Sequence, residues 1–288
     1  DRLWVNDGEI KNTGFELNLN ADIIRSENFN LSSTLILSRN QNEVISLGNA
    51  VESGLNTDPN TGMQFEYWGN SLEQFRQYPN LLAIGQPVNV FYGYKTDGII
   101  QTLQEGIDAG LDGDMAQPGE FKYVDINGDG IVNSDDRTII GDPNPDFFGS
   151  LGLNMNYKKF DFSLFLNGSF GQDVLNTQAF NQPSNQPFRW TLDNQTNNFP
   201  SLRDGRLTNL SDWWLEDGSF VRVQNVTAGY TFNFTSNNST SARIYVNGNN
   251  LYTFTDFTGY DPEVGGNGIY WGGYPRLRQI TLGLDLTF

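Results

Sequence analysis

The feature that most constrains the fold is a strict alternation of apolar and polar side chains in several long segments. Over the last ten residues, 279–288, every even position is Ile, Leu or Phe, and every odd position is polar or Gly. Because successive strand residues point to opposite faces of a sheet, this pattern predicts strands with one apolar and one polar face. Similar stripes lie at 15–23, 29–37, 151–157, 160–166, 226–234 and 244–246. The chain is therefore predicted to be all-β.

The stripes run for about the 9–11 residues that a tilted strand needs to cross a bilayer. Soluble β-sandwiches and propellers also alternate, so periodicity alone leaves both classes open. The lengths of the connections between stripes distinguish these classes, because short and long connections alternate along the chain. Short turns are predicted at 25–28, 158–159 and 235–240, and long connections at 41–147, 171–219 and 253–275. Outer-membrane barrels have short periplasmic turns and long extracellular loops, so this regularity favours a barrel segment.

The resulting prediction is an antiparallel transmembrane β-barrel segment of about seven strands. If Phe288 ends on the periplasmic side, every short turn is periplasmic and every long connection is extracellular. This assignment requires the apolar segment Val88–Gly98 to lie inside the long extracellular loop region 41–147 without spanning the membrane, or to pair with a further strand that the pattern does not reveal. Seven strands leave open edges that hydrocarbon does not tolerate, so we expect a larger body around this chain.

Composition excludes several classes of function. The chain has 34 Asp plus Glu against 17 Lys plus Arg, a formal charge of −17, and no basic cluster, which excludes nucleic acid as a partner. It contains no Cys and no His, so disulfides, thiolate zinc sites and the usual general base are absent. The acidic pairs Asp135/Asp136 and Glu216/Asp217 are adjacent residues whose side chains diverge, unlike the paired acids of glycosidases. The chain is not expected to be an enzyme.

One loop has the oxygen-ligand spacing of an EF-hand, over residues 125–136. Its predicted calcium ligands are Asp125, Asn127, Asp129, the carbonyl of Ile131, Asn133 and Asp136. Gly130 stands at the position of the sharp turn, while the twelfth residue is Asp instead of the usual Glu. The alternative is an Asn/Asp/Gly-rich turn held by its own side chains. We expect a structural Ca²⁺ ion here.

A set of distinctive segments occurs in order along nearly the whole chain: Phe91–Ile99 (FYGYKTDGI), Pro118–Gly130, Asp135–Gly141, Trp214–Phe220, Gly259–Glu263 and Gly273–Pro275. Together they resemble the SusC/RagA family of TonB-dependent outer-membrane transporters. The resemblance implies that the chain is the C-terminal portion of a barrel of about 22 strands. The family's N-terminal plug and TonB-contacting segment are missing from these residues, so we expect a piece of something longer.

The resemblance also implies a function and partners. It implies import of glycan or peptide oligomers across the Gram-negative outer membrane, together with a SusD-like surface lipoprotein. The expected partners are the remaining barrel and plug, that lipoprotein, membrane lipid, and TonB through the absent N-terminal part. Two alternatives stay open at this point: a secreted or surface calcium-stabilised β-rich binding protein, and a passive porin-like channel.

Five aromatic residues in or beside the predicted extracellular loops are candidate ligand contacts: Trp213, Trp214, Tyr270, Trp271 and Tyr274. Their ring faces could stack on sugars or peptide side chains. Amphipathic Trp and Tyr also serve in interfacial girdles and in loop packing, which are the alternative roles.

Overall fold

The computed structural model describes residues 8–48, 54–181, 183–202, 209–234 and 240–288. Seventeen strands, one short helix and four 3₁₀ turns make up the described part of the chain. The strands are β1 Glu9–Arg25, β2 Phe29–Ser46, β3 Asn56–Thr57, β4 Gln64–Trp68, β5 Asn80–Ala83, β6 Val90–Gly93, β7 Thr96–Ile99, β8 Phe121–Tyr123, β9 Thr138–Gly141, β10 Phe147–Tyr157, β11 Phe160–Phe170, β12 Asp173–Asn176, β13 Leu215–Asp217, β14 Phe220–Asn233, β15 Ser241–Thr255, β16 Ile269–Tyr270 and β17 Gln279–Thr287.

Helix α1 spans Leu103–Asp108, and the 3₁₀ turns span Ser134–Asp136, Ala179–Asn181, Pro183–Phe188 and Asp212–Trp214. Thr102 caps the start of α1 by accepting a hydrogen bond from the amide of Glu105. Among the described residues, no helix has the length and apolarity that a membrane span requires.

Seven long strands form one antiparallel sheet, the main sheet, in the order β1-β2-β10-β11-β14-β15-β17. Each of the predicted stripes lies in one of these strands, except that Phe234 and Phe288 fall one residue beyond β14 and β17, and this confirms the all-β, antiparallel prediction. The register aligns the stripes, so that Leu19, Leu35, Leu151 and Leu166 occupy one row across four strands. Within the described residues, the outermost strands β1 and β17 are each paired on one side only.

The connections of the main sheet are short at one end and long at the other. Residues 26–28 join β1 to β2, and the two residues Lys158 and Lys159 join β10 to β11. Lys158 has a φ of 54°, the left-handed conformation that a two-residue hairpin turn demands. The predicted turn 235–240 falls almost wholly outside the described residues. The strand β2 continues through Ser46, past the predicted loop start at 41, because its pairing with β1 extends that far.

The long connections fold together into what we call the loop layer, comprising the described residues of 54–146, 171–219 and 256–278. It contains a five-stranded sheet (β3-β4-β5-β6-β9), a pair (β7-β8) and a three-stranded sheet (β13-β12-β16). Phe91, Leu175, Trp214 and Ile269 share one buried cluster although they come from all three long connections. The segment Val88–Gly98 forms β6 and the start of β7 in this layer, so it lies outside the main sheet as predicted.

Candidate functional site

The apolar face of the main sheet, formed by the stripe residues, is uncovered. Leu282 is 78% exposed, Ile280 is 76% exposed and Leu19 is 50% exposed. Water-soluble proteins rarely leave so continuous an apolar surface open, because apolar area is stabilised by removal from water. No part of the described chain packs over this face as a second layer, so the stripes are not the buried face of a sandwich.

Two aromatic belts border the apolar face. Near the long connections, Phe147 and Phe170 stack with ring centroids 4.9 Å apart, and near the short turns Phe160 and Tyr230 meet at 4.5 Å. Phe147 and Tyr157 stand at the two ends of β10. Ten residues at about 3.3 Å each separate them by about 33 Å along the strand. With a strand tilt of about 40° this becomes about 25 Å, the height of the apolar band on outer-membrane barrels.

The opposite face of the main sheet carries a chain of polar contacts across β14 and β15. Asn247 donates to Thr227 at 2.7 Å, Thr227 donates to Asn225, and Asn225 donates to Asn249 at 2.8 Å. These side chains satisfy one another on a surface where water or other polar groups are the natural neighbours. We call this surface the polar face.

An ion cluster on the polar face joins three strands. Arg243 on β15 binds Asp161 on β11 at 2.6 Å and Asp285 on β17 at 3.2 Å. Gly229 lies between Arg243 and Asp161, and an added Cβ there would stand 2.7 Å from the guanidinium Nε. Sequence reasoning missed this cluster because its members lie 82 and 42 residues apart and follow no motif.

The loop 125–136 adopts a tight turn with converging side chains. The two carboxylate oxygens of Asp125 accept hydrogen bonds from the amides of Gly128 and Gly130, at 2.7 and 2.8 Å. The bond from Gly130 is the main cause that lowers the pKa of Asp125. Gly130 has a φ of 86°, which only glycine adopts readily. Asn127 and Asp129 each accept from the amide two residues on, as in EF-hand-type turns.

Asp136, at the twelfth position of the loop, uses its carboxylate to accept backbone hydrogen bonds. Asp136 is fully buried, and its carboxylate accepts from the amides of Ile126, Asn127 and Asn133. Asn133 accepts from the amide of Asp135, and the carbonyl of Ile131 lies 3.5 Å from the Asn133 amide nitrogen. In the described part of the chain, no group of three or more Asp or Glu side chains is placed to hold a metal ion. The self-bonded turn is therefore present, and calcium binding stays a prediction.

The five candidate aromatic residues divide into two groups. Trp214 is 1% exposed and Tyr270 is 7% exposed, and both pack in core clusters. Trp213 is partly buried, donates to the carbonyl of Asn198 and packs edge-on against Trp214. Burial in these clusters favours the packing role for Trp214 and Tyr270, and ligand contact by either of them, or by Trp213, stays a prediction. Trp271 and Tyr274 are 59% and 99% exposed, and ligand contact by these two stays a prediction.

A buried arginine fixes the third long connection to the main sheet. Arg222 on β14 binds Asp261 at 2.7 Å and Glu263 at 2.6 Å, and its side chain is 2% exposed. Arg276 binds the same two carboxylates from the solvent side. Asp261 and Glu263 lie in a segment singled out by the sequence, but nothing in the sequence indicates Arg222 as their partner.

Comparison with known proteins finds relatives over nearly the whole chain. TonB-dependent receptor P26 of Formosa agariphila is 34% identical over 307 residues, which cover 98% of this chain and 30% of that protein. TonB-dependent receptor SusC of Bacteroides thetaiotaomicron is 28% identical over 296 residues, covering 100% of this chain and 27% of SusC. A solved structure of the RagAB peptide importer in its closed-closed state superposes with a TM-score of 0.73 at 24% identity, over 98% of this chain and 30% of that one. The chain is a portion of a SusC/RagA-like TonB-dependent transporter.

The assignment places the chain in the Gram-negative outer membrane, where SusC-like receptors reside. The chain spans about three tenths of the length of the relatives it matches, 29% for TonB-dependent receptor P3 of Formosa agariphila. No protein-family model matches the chain. The likeness to RagAB confirms the fold of this portion.

Proposed function

We propose that this chain forms part of the barrel wall and outer loops of a nutrient importer in the outer membrane. The observation that carries the proposal is the uncovered apolar face of a seven-stranded sheet whose other face is polar. A bilayer supplies the apolar neighbour that the chain itself lacks, and a hydrated interior supplies the polar one.

The proposal extends to the assembled transporter. In it, the chain is the C-terminal part of a barrel of about 22 strands, with its apolar face on lipid and its loop layer outside the cell. The relatives' names support dependence on TonB and, for RagAB, the import of peptides. We further propose a SusD-like lipoprotein over the loops and glycan or peptide oligomers as cargo. The relatives are receptors and transporters, and we propose that this portion likewise performs no chemistry on its cargo.

A soluble calcium-stabilised binding protein is the alternative that the sequence left open. Such a protein would bury its apolar stripes, and side chains such as Leu282 are mostly exposed here. No observation favours that alternative or a passive pore over the importer.

Thiol labelling tests the orientation of the sheet. The chain has no Cys, so Leu282→Cys and Thr281→Cys each add the only thiol within it, on opposite faces of β17. In outer membranes holding the full transporter, a water-soluble maleimide should label the Thr281→Cys variant and spare the Leu282→Cys variant. A lipid-soluble maleimide should label the Leu282→Cys variant. Equal labelling of both variants by the water-soluble reagent would refute the barrel assignment.

Uptake tests the import role. Cells that carry the transporter should accumulate a fluorescent oligosaccharide or peptide cargo, and deletion of the transporter or of TonB should abolish that accumulation. Accumulation that continues without TonB would favour a passive channel. No dependence on the transporter, for any cargo on which the cells grow, would reject the import function.

A further inference from the structure

A cavity of about 480 Å³ lies between the polar face of the main sheet and the loop layer. Its floor is formed by strand residues, among them Ser150 and Asn167, and its cover by the segment 262–266 of the third long connection. Ligand-binding pockets usually measure about 300–1,000 Å³, so the space suits a small group or one residue of an oligomer.

The cover of the cavity is held at both ends. At its base, Arg222 fixes Glu263 at 2.6 Å. At its tip, the side-chain amide of Asn89 donates to the carbonyl of Gly266 at 3.0 Å, and that of Asn80 donates to the carbonyl of Asn267 at 3.1 Å. These contacts keep the cavity in shape before any ligand enters, which lowers the entropic cost of binding.

Among the described residues, the cavity presents one acceptor that lacks a donor and one acid that lacks a basic partner. The Oδ1 atom of Asn167 is buried and has no hydrogen-bond partner among the described residues. Asp173 is half-buried, and one of its oxygens accepts from the amide of Asp142 at 2.8 Å. No ion pair joins Asp173 to a basic residue of the described chain. The other acid of the lining, Glu263, is already paired with Arg222 and Arg276.

The charge around Asp173 is unbalanced. Within the described part of the chain, no Lys or Arg lines the cavity, and Asp142 and Asp217 lie close enough to Asp173 to disfavour its negative charge. Burial, the largest cause, together with these carboxylates raises the pKa of Asp173. A cation bound here would balance the negative charge that these carboxylates share and would favour the ionised form of Asp173, whereas a neutral hydroxyl could only donate a hydrogen bond.

We propose that this cavity binds a primary ammonium group of the imported cargo, with Asp173 as its ion-pair partner. The Oδ1 atom of Asn167 accepts a hydrogen bond from the same segment of cargo, and Phe148 and Phe220 line the space beside its aliphatic part. This inference rests on the proposed import function and specifies its cargo as oligomers that carry amines, such as peptides with Lys side chains.

Binding to the full transporter in detergent tests the inference by calorimetry. The probes are N-acetyl-Ala-Lys-Ala-amide and the same peptide with its Lys side chain acetylated, which removes the charge. We expect the charged probe to bind at least tenfold more tightly. Asp173→Asn, nearly the same in shape, should remove that preference, and Asn167→Leu should weaken binding of the charged probe several-fold. Asp193→Asn, an exposed acid in the second long connection, should change nothing.

Three results would overturn the inference: equal affinity for the two probes, a preference that survives Asp173→Asn, or no heat from either probe at millimolar concentration. Unchanged melting temperatures of the variants exclude misfolding as the cause of a loss. Because binding is measured without TonB or a membrane potential, a failure here leaves the uptake result standing, and a failed uptake assay leaves this result interpretable.

Discussion

The main sheet and the loop layer differ in how far they expose the same type of apolar side chain. Leu282 in the main sheet is 78% exposed, whereas Leu210 in the loop layer is fully buried. The loop layer forms compact clusters around side chains such as Trp214 and Phe121, as a water-soluble domain does. The contrast shows that one chain is adapted to two solvents, with hydrocarbon expected at the sheet and water at the loops.

The largest effect on stability is expected from a substitution that empties part of the loop-layer core. Trp214→Ala removes a buried ring that packs 5.0 Å from Phe75, at a cost of about 3–5 kcal/mol. Trp271→Ala, at an exposed position, is the control and should cost under about 0.5 kcal/mol. Hydrogen exchange of the full transporter should show faster exchange in the loop layer alone. Equal loosening of the main sheet would mean that the two regions fold as one unit.

A charge placed on the apolar face tests the other side of the contrast. Leu164→Arg lies near the middle of β11 and should destabilise the folded barrel in lipid by about 2–4 kcal/mol. Ser163→Arg places the same charge on the polar face and should have a small effect. The folded fraction can be read from the gel shift between heated and unheated samples. Similar losses for both variants would contradict the assignment of the faces.

Calcium should act on the loop layer and leave the main sheet unchanged. At a free concentration one hundred times the dissociation constant, a bound ion stabilises the folded state by about 2.7 kcal/mol. Removal of calcium by a chelator should lower the melting temperature of the loop layer, and Asp129→Asn, which removes one charged ligand, should weaken that response. Asp193→Asn should retain it. A melting temperature that changes neither with chelator nor with added calcium would show that the loop is only a self-bonded turn.

The smallest effect is expected at a partly exposed ion pair of the loop layer. Lys122 binds Asp97 at 2.7 Å, but the Asp97 side chain is 72% exposed, so Lys122→Met should cost under about 1 kcal/mol. The hydrogen bond to Asp97 is the main cause that raises the pKa of Lys122. The contribution of this ion pair to the free energy of unfolding is therefore complete below the ordinary Lys pKa of about 10.4. It is lost as pH rises through the higher pKa of Lys122 in the folded state. Alkaline melting curves should converge for the wild type and the variant.

Much of the main sheet could be predicted because its information is local. The alternation over 279–288 alone indicates both the strand and its two faces, and β17 follows it closely. The loop layer could not be predicted in this way, since its core joins distant residues such as Phe91 and Ile269. The exposure of the aromatic residues could not be predicted for the same reason: Trp214 and Trp271 look alike in sequence, and only tertiary packing buries the first and leaves the second exposed.

The candidate sites follow the same rule. The turn at 125–136 was visible as a motif, because its bonds join residues only a few positions apart. Asp173 carries no motif, and its setting arises from neighbours contributed by other segments, such as Asp142 and Asp217.

The outer strands of the main sheet differ in the length of ladder they offer. β1 spans 17 residues, whereas β17 spans nine. Because interstrand hydrogen bonds join neighbouring strands of a barrel, β1 offers a longer edge for such bonds to the next strand of the proposed barrel than β17 does.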